Sequence, residues 1–130
     1  MPHVPPDTIR AIAQEVGFDV VRFGPADPGE HGAHFLRWLE ADRHGEMQYL
    51  AANRERILQP QRWRPGVQSA ITVAVDYGGP AVQLGDGARI ARYAAGRDYH
   101  RWLRDRVFAL RERLEAAGLP YGSMNGGADA

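Results

Sequence analysis

The densest grouping of side chains able to hold a ligand or move a proton is the run Arg89-Ile90-Ala91-Arg92-Tyr93-Ala94-Ala95-Gly96-Arg97-Asp98-Tyr99-His100. Its place, where an extended segment should give way to a helix, matters as much as its composition. A helix start presents backbone N–H groups without intrahelical partners, and a neighbouring arginine adds a planar fork of donors. Phosphate or amide groups of a large polar ligand suit such a junction. The plainer account of the same residues is structural: Asp98 caps the helix, Tyr93 and Tyr99 pack at the rim of the core, and Arg97 pairs with Asp98. Composition does not separate the two accounts.

Elsewhere the chemistry is thinner. His31 and His34 lie close to Asp27 and Glu30, which are metal-ligand types, but a polar loop entering a helix explains them by solvent exposure and helix-start electrostatics. His3 and His44 are read the same way, and no metal site is assigned. Ser69 and Ser123 are the only serines, and neither stands in a Gly-x-Ser-x-Gly elbow. No dinucleotide glycine fingerprint is present. The chain has no cysteine, which excludes disulfides, thiolate nucleophiles and cysteine-ligated clusters on its own side chains. It also has no lysine, all sixteen basic residues being arginine. That removes the P-loop lysine and Schiff-base or pyridoxal chemistry and leaves forks suited to phosphate or carboxylate.

These residues need a scaffold, and 130 residues, 44% hydrophobic and 25% charged, suffice for one domain with a real core. The formal net charge is zero but unevenly placed. Residues 1–53 carry −4, residues 54–113 carry +6 and residues 114–130 carry −2. A basic middle is compatible with an anionic ligand or nucleic acid, and equally with arginines that solvate amphipathic helices. No apolar run approaches the roughly 20 residues of a membrane span, and the Met1-Pro2-His3 start lacks a basic region followed by an apolar stretch. A cytoplasmic location without membrane partners is expected.

Pro5-Pro6 followed by Asp7 as N-cap, apolar Ile9, Ile12, Ala13 and Val16, and Gly17 as a stop describe a short amphipathic helix. Phe18 to Gly24 reads as a strand, and Pro25 with Pro28-Gly29 opens a loop. A second helix should cover about Ala33 to Arg43. A third begins near Glu46, with Met47, Leu50 and Ala51 able to face the core. Gln59 to Gly66 reads as an ordered loop. Ser69 to Tyr77 is the strongest strand signal, nearly continuous in apolar character and expected to be central and buried on both faces. The Gly85-Asp86-Gly87 turn precedes a further strand, Ala88 to Ala94, in an antiparallel pairing or long hairpin. The longest helix should run from about Asp98 to Ala117, with Leu103, Val107, Leu110 and Leu114 on one face and Gly118 as its stop.

After that helix, Leu119 to Ala130 closes nothing, and three strands with a hydrophobic central one would leave unpaired edges. The expectation is an incomplete fold: residues 1–130 as the N-terminal domain of a longer protein.

The order Gly45-Glu46-Met47-Gln48-Tyr49-Leu50, then Arg56 to Pro60, Pro65-Gly66-Val67-Gln68-Ser69-Ala70-Ile71, Tyr77 and finally Arg92 to His100 resembles the N-terminal domain of epoxyqueuosine reductase over almost the whole chain. The Arg-Tyr-Ala-x-Gly-Arg-Asp-Tyr-His string is the most specific part. The resemblance implies an α/β (α+β) fold, a small mixed or antiparallel sheet flanked by helices, like cobalamin-processing and reductive-dehalogenase domains. It implies reduction of epoxyqueuosine to queuosine at the tRNA wobble position, with cobalamin as cofactor and electrons from two [4Fe–4S] clusters. It places Arg56 and Arg97 near the corrin, and Tyr99 and His100 in the segment lining the cofactor and substrate cavity. It also implies an acidic proton donor soon after the long helix, where Asp129 stands, although Met124 to Ala128 depart from the apolar strand usual there.

The cysteine-rich segment and helical tRNA-binding repeats of that family have no counterpart in these 130 residues. The expectation is therefore a cobalamin-binding module that does not turn over alone and depends on a C-terminal half or a separate electron-donor protein. The alternative is a noncatalytic module that binds an anionic nucleotide-like ligand or RNA through the basic middle, and a structural remnant comes third.

Overall fold

A computed structural model describes residues 3–119. The elements run α1 (Pro6–Val16), β1 (Val20–Pro25), α2 (Glu30–Glu40), α3 (Gln48–Ala52), α4 (Arg54–Leu58), α5 (Pro60–Trp63), β2 (Ser69–Ala74), β3 (Val82–Gln83), β4 (Arg89–Ile90), a 3-10 turn (Arg92–Ala94) and α6 (Tyr99–Ala116). This is a mixed α/β chain with two small two-stranded sheets, β1 with β2 and β3 with β4. It divides into two compact units, residues up to 21 with those from 73 onward, and residues 22–72. The expectations for Pro120 to Ala130, Asp129 included, fall outside the described residues.

The first unit holds the core. Ile9, Ile12, Ala13 and Val16 share one face of α1 and pack with Val4, Phe18, Val21, Leu110 and Leu114, while Leu103 and Val107 of α6 lie partly buried against them. Phe18 and Leu110 are each only 2% exposed. The two helices end with the same device. Gly17 takes φ +112° and Gly118 φ +97°, left-handed values that favour a residue without Cβ. Each closes a Schellman turn: the Gly17 N–H donates to Gln14 and the Phe18 N–H to Ala13, both at 3.0 Å. Gly118 and Leu119 repeat this on Glu115 and Leu114. Arg106 then donates Nη1 to the Val16 carbonyl at 3.2 Å, a cation on the negative end of α1. Arg113 pairs with Glu15, and Arg111 with Glu115 at 3.1 Å. Part of the basic middle therefore serves packing.

Several boundaries differ from expectation. The N-cap of α1 is Pro5 instead of Asp7, with Pro6 inside the first turn and Asp7 after it: a fixed φ and a missing N–H cost nothing at that place, so the helix starts earlier, at Pro6. The first strand begins at Val20 because the Phe18 N–H is drawn back onto α1. β2 ends at Ala74 rather than Tyr77. The Asp76 N–H donates to Asp19 Oδ2 at 2.8 Å, and Asp76 Oδ1 accepts from the Gly78 N–H at 2.7 Å, so aspartate side chains replace the ladder there. Nor is β2 buried on both faces. Among the described residues its single neighbour is β1, antiparallel to it, and Ile71 stays 36% exposed while Val73 is half-buried. The expected strand Ala88 to Ala94 shrinks to Arg89–Ile90, paired antiparallel as Val82↔Ile90 and Gln83↔Arg89. The hairpin is present, but its partner is β3.

In the second unit, Gln59 to Gly66 is not all loop, since Pro60–Trp63 forms a helical turn. Met47 is 42% exposed instead of facing the core. Gly32 is buried, and a Cβ there would meet Leu58 Cδ2 at 3.2 Å and Pro28 Cγ at 3.3 Å. Its missing side chain lets α2 and α4 approach.

Candidate functional site

In the first unit the run from Arg92 to His100 folds as the 3-10 turn, a short link and the opening of α6. Asp98 is the N-cap, its Oδ1 accepting the His100 backbone N–H at 3.0 Å and meeting His100 Nδ1 at 2.6 Å. Asp98 thus caps the helix as the plainer account has it, but its partner is His100. Arg97 forms no hydrogen bond or ion pair among the described residues and is exposed. Nor do the tyrosines pack at a core rim. Tyr77 is 64% exposed, Tyr93 50% and Tyr99 44%. They form a surface chain: Tyr77 meets Tyr93 edge-on at 5.4 Å, Tyr93 meets Tyr99 edge-on at 6.3 Å, and Tyr99 stacks on His100 at 4.3 Å. Four rings and a free fork of donors therefore lie around one helix start.

The backbone hydrogen bond from His100 holds the Asp98 carboxyl below the ordinary carboxylate range, helped by the side-chain bond and by the His100 and Arg104 charges. With the folded-state pKa depressed, the stabilisation is present above the unfolded value and is lost as pH falls through the folded one. Asn also caps helices well. Asp98→Asn is thus expected to melt below the parent at neutral pH, with the gap closing on acidification through the carboxylate range, as read by thermal melts in a pH series. A gap independent of pH would show that the charge plays no part.

The second unit contains Arg56, on α4, whose guanidinium carbon lies 5.4 Å from the centre of the Trp63 ring; Arg64 lies 5.3 Å from it. The sequence reading of Gln59 to Gly66 as loop gave Trp63 and Arg64 no role, and Arg56 had one only through the family resemblance. His44, expected to be exposed, is buried at 7%. Its ring lies 6.0 Å from Trp38, and Nδ1 has no partner among the described residues. His31 and His34 sit 6.4 Å apart, and among the described residues no group of three or more His, Asp and Glu is placed to hold a metal ion. Among them, too, no helix is long and apolar enough to cross a membrane.

Fold and surface define a small mixed α/β chain with an aromatic, arginine-bearing helix junction. The family model described as "Epoxyqueuosine reductase QueG, DUF1730" matches residues 58–125, a span that includes this junction, and the chain belongs to the epoxyqueuosine reductase family. It is 37% identical to an epoxyqueuosine reductase of Pseudomonas aeruginosa, over 91% of this chain and 36% of that protein. It is 36% identical to one from Xanthomonas campestris, over 88% and 34%, and 38% identical to one from Gloeobacter violaceus, over 84% and 34%. The chain spans about a third of the length of the curated relatives it matches. No solved structure matches it.

Proposed function

We propose that this chain is the cobalamin-binding part of an epoxyqueuosine reductase, an oxidoreductase that converts epoxyqueuosine to queuosine in tRNA. The observation that carries the reading is the α6 junction. A flat, amide-rimmed macrocycle needs broad aromatic contact and donors for its amide oxygens, and Tyr77, Tyr93 and Tyr99 with the unpaired fork of Arg97 are of that chemistry. Bound cobalamin would supply the reducing centre for opening the epoxide. Arg97 binds amide or phosphate oxygens, Tyr99 gives a face, and Asp98 fixes the ring of His100 by holding Nδ1, leaving Nε2 for a neighbouring group. Opening the epoxide requires a proton on the leaving oxygen. Asp129 is the proposed donor by family likeness, and Arg56 is a proposed corrin contact on the same ground. With no cysteine in the chain, cysteine-ligated [4Fe–4S] clusters that feed electrons belong to another segment or a separate donor protein.

The test is equilibrium dialysis of the folded chain against hydroxocobalamin and cob(II)alamin, with the visible spectrum recorded. Uptake with a spectral change is expected. A folded sample that takes up neither corrinoid would sink the reading.

A further inference from the structure

The solvent side of α6 has an order of its own. Leu110 and Leu114 are buried on the core side of the helix, whereas Phe108, 51% exposed, stands on the opposite side. At about 100° per residue, Arg101, Arg104, Asp105, Arg111, Glu112 and Glu115 all fall within roughly 60° of Phe108 around the helix axis. Arg111 is half-buried and holds Glu115 at 3.1 Å, and the other residues of the stripe are exposed. Arg101, Asp105 and Glu112 take part in no ion pair among the described residues. One open ring is ordinary on a protein surface. The order of the charges around it is what points to a partner.

Those charges are opposites at equal distances from Phe108. Asp105 lies three residues before it and Arg111 three after, Arg104 four before and Glu112 four after, Arg101 seven before and Glu115 seven after. When two copies of a helix pack antiparallel about a twofold axis at residue 108, each residue faces the one at the equal and opposite separation on the other copy. All three relations then become contacts between opposite charges, each made twice, around a central pair of phenylalanine rings. A parallel pair would set every charge against its own copy. We infer that the solvent face of α6 is a self-docking surface on which a second copy of this chain lays its own α6 antiparallel, with Arg101, Arg104 and Asp105 facing the partner's Glu115, the partner's Glu112 and the partner's Arg111. An aromatic anchor ringed by charges of both signs is the make-up of a protein interface. A polyanion would meet three carboxylates among three guanidinium groups, and an acidic protein would meet the same three. The surface is independent of any corrinoid at the other end of the helix. One pair of 18-residue helices is small for a stable interface, so association belongs in the micromolar range and the chain is monomeric in dilute solution.

Sedimentation velocity of the chain in low salt, over about a hundredfold range of concentration from micromolar upward, tests it. The parent is expected to pass from monomer to dimer. Arg101→Glu with Arg104→Glu sets like charges against the partner's glutamates, and Glu112→Arg with Glu115→Arg does the same with the opposite sign. Each double variant alone is expected to raise the dissociation constant more than about tenfold. Mixed in equal amounts, the two should associate again, since every reversed charge then meets its opposite. Phe108→Ala removes the central rings and should weaken the dimer about tenfold. Circular dichroism melts in dilute solution establish that the variants are folded. The inference is overturned if the parent stays monomeric throughout, if a folded reversal variant associates as tightly as the parent, or if the mixed variants stay apart. Where a reversal variant does not fold, Phe108→Ala decides, and parental association of that variant overturns the inference as well.

Discussion

Replacing Arg97 by alanine is expected to weaken corrinoid binding about tenfold to more than a hundredfold while leaving the melting temperature of the chain unchanged. The binding effect follows from one charge-assisted hydrogen bond, about 1.5–3 kcal/mol when its donor is removed. The stability effect follows from geometry: Arg97 stands beside the α6 N-cap, exposed and with no hydrogen bond or ion pair among the described residues, while Asp98 is engaged with His100. Removing it breaks nothing within the described fold. A surface pair with Asp98 would instead have cost up to about 1 kcal/mol of stability. Arg97→Lys should fall between parent and alanine variant, since it keeps the charge and loses the fork. Dissociation constant and melting temperature measured on the same samples decide the matter, and an unchanged dissociation constant takes Arg97 out of the site.

Phe18→Ala should have the largest effect on stability, about 3–5 kcal/mol. Phe18 is 2% exposed and sits among Ile9, Ile12, Val16, Leu110 and Leu114. Its loss opens a cavity between α1 and α6. For a domain with about 5–15 kcal/mol in total, such a loss removes a large part of the folded margin. Phe108→Ala is the matched control. That ring is 51% exposed, so its removal should stay within about 0.5 kcal/mol. Urea midpoints measured side by side check both, and equal midpoints would show that the α1–α6 core does not hold the first unit together.

What the sequence made legible was local. Helix stops at Gly17 and Gly118, the cap at Asp98, and the apolar faces of α1 and α6 depend on residues within one or two turns of each other, and all are present. What it hid was decided by distant groups. The length of β2 is set by Asp19, fifty-seven residues from Asp76. Apolar character alone cannot tell a strand with neighbours on both sides from one paired, among the described residues, with β1 alone. The clustering of Arg56 and Arg64 on Trp63 requires two helical turns to fold against each other, and the burial of His44 depends on the placement of Trp38. At the α6 junction the residue types were legible, whereas the exposure of the tyrosines and the choice of His100 as partner of Asp98 were not.

Arg106 gathers three relations: its Nη1 on the Val16 carbonyl, its guanidinium carbon 5.1 Å from the centre of the Trp102 ring, and its Cδ and Nε each 3.9 Å from where a Cβ on Gly17 would stand. A methyl group would meet the Arg106 stem there at ordinary van der Waals distance, quite apart from the left-handed backbone. A lineage that enlarges residue 17 builds towards the side chain of residue 106, and one that loses Arg106 frees the space above residue 17 while leaving a helix-end carbonyl in want of a donor. Residues 17 and 106, at opposite ends of the first unit's sequence, are thereby inclined to drift together, an evolutionary tether that paired substitutions across related genes would record.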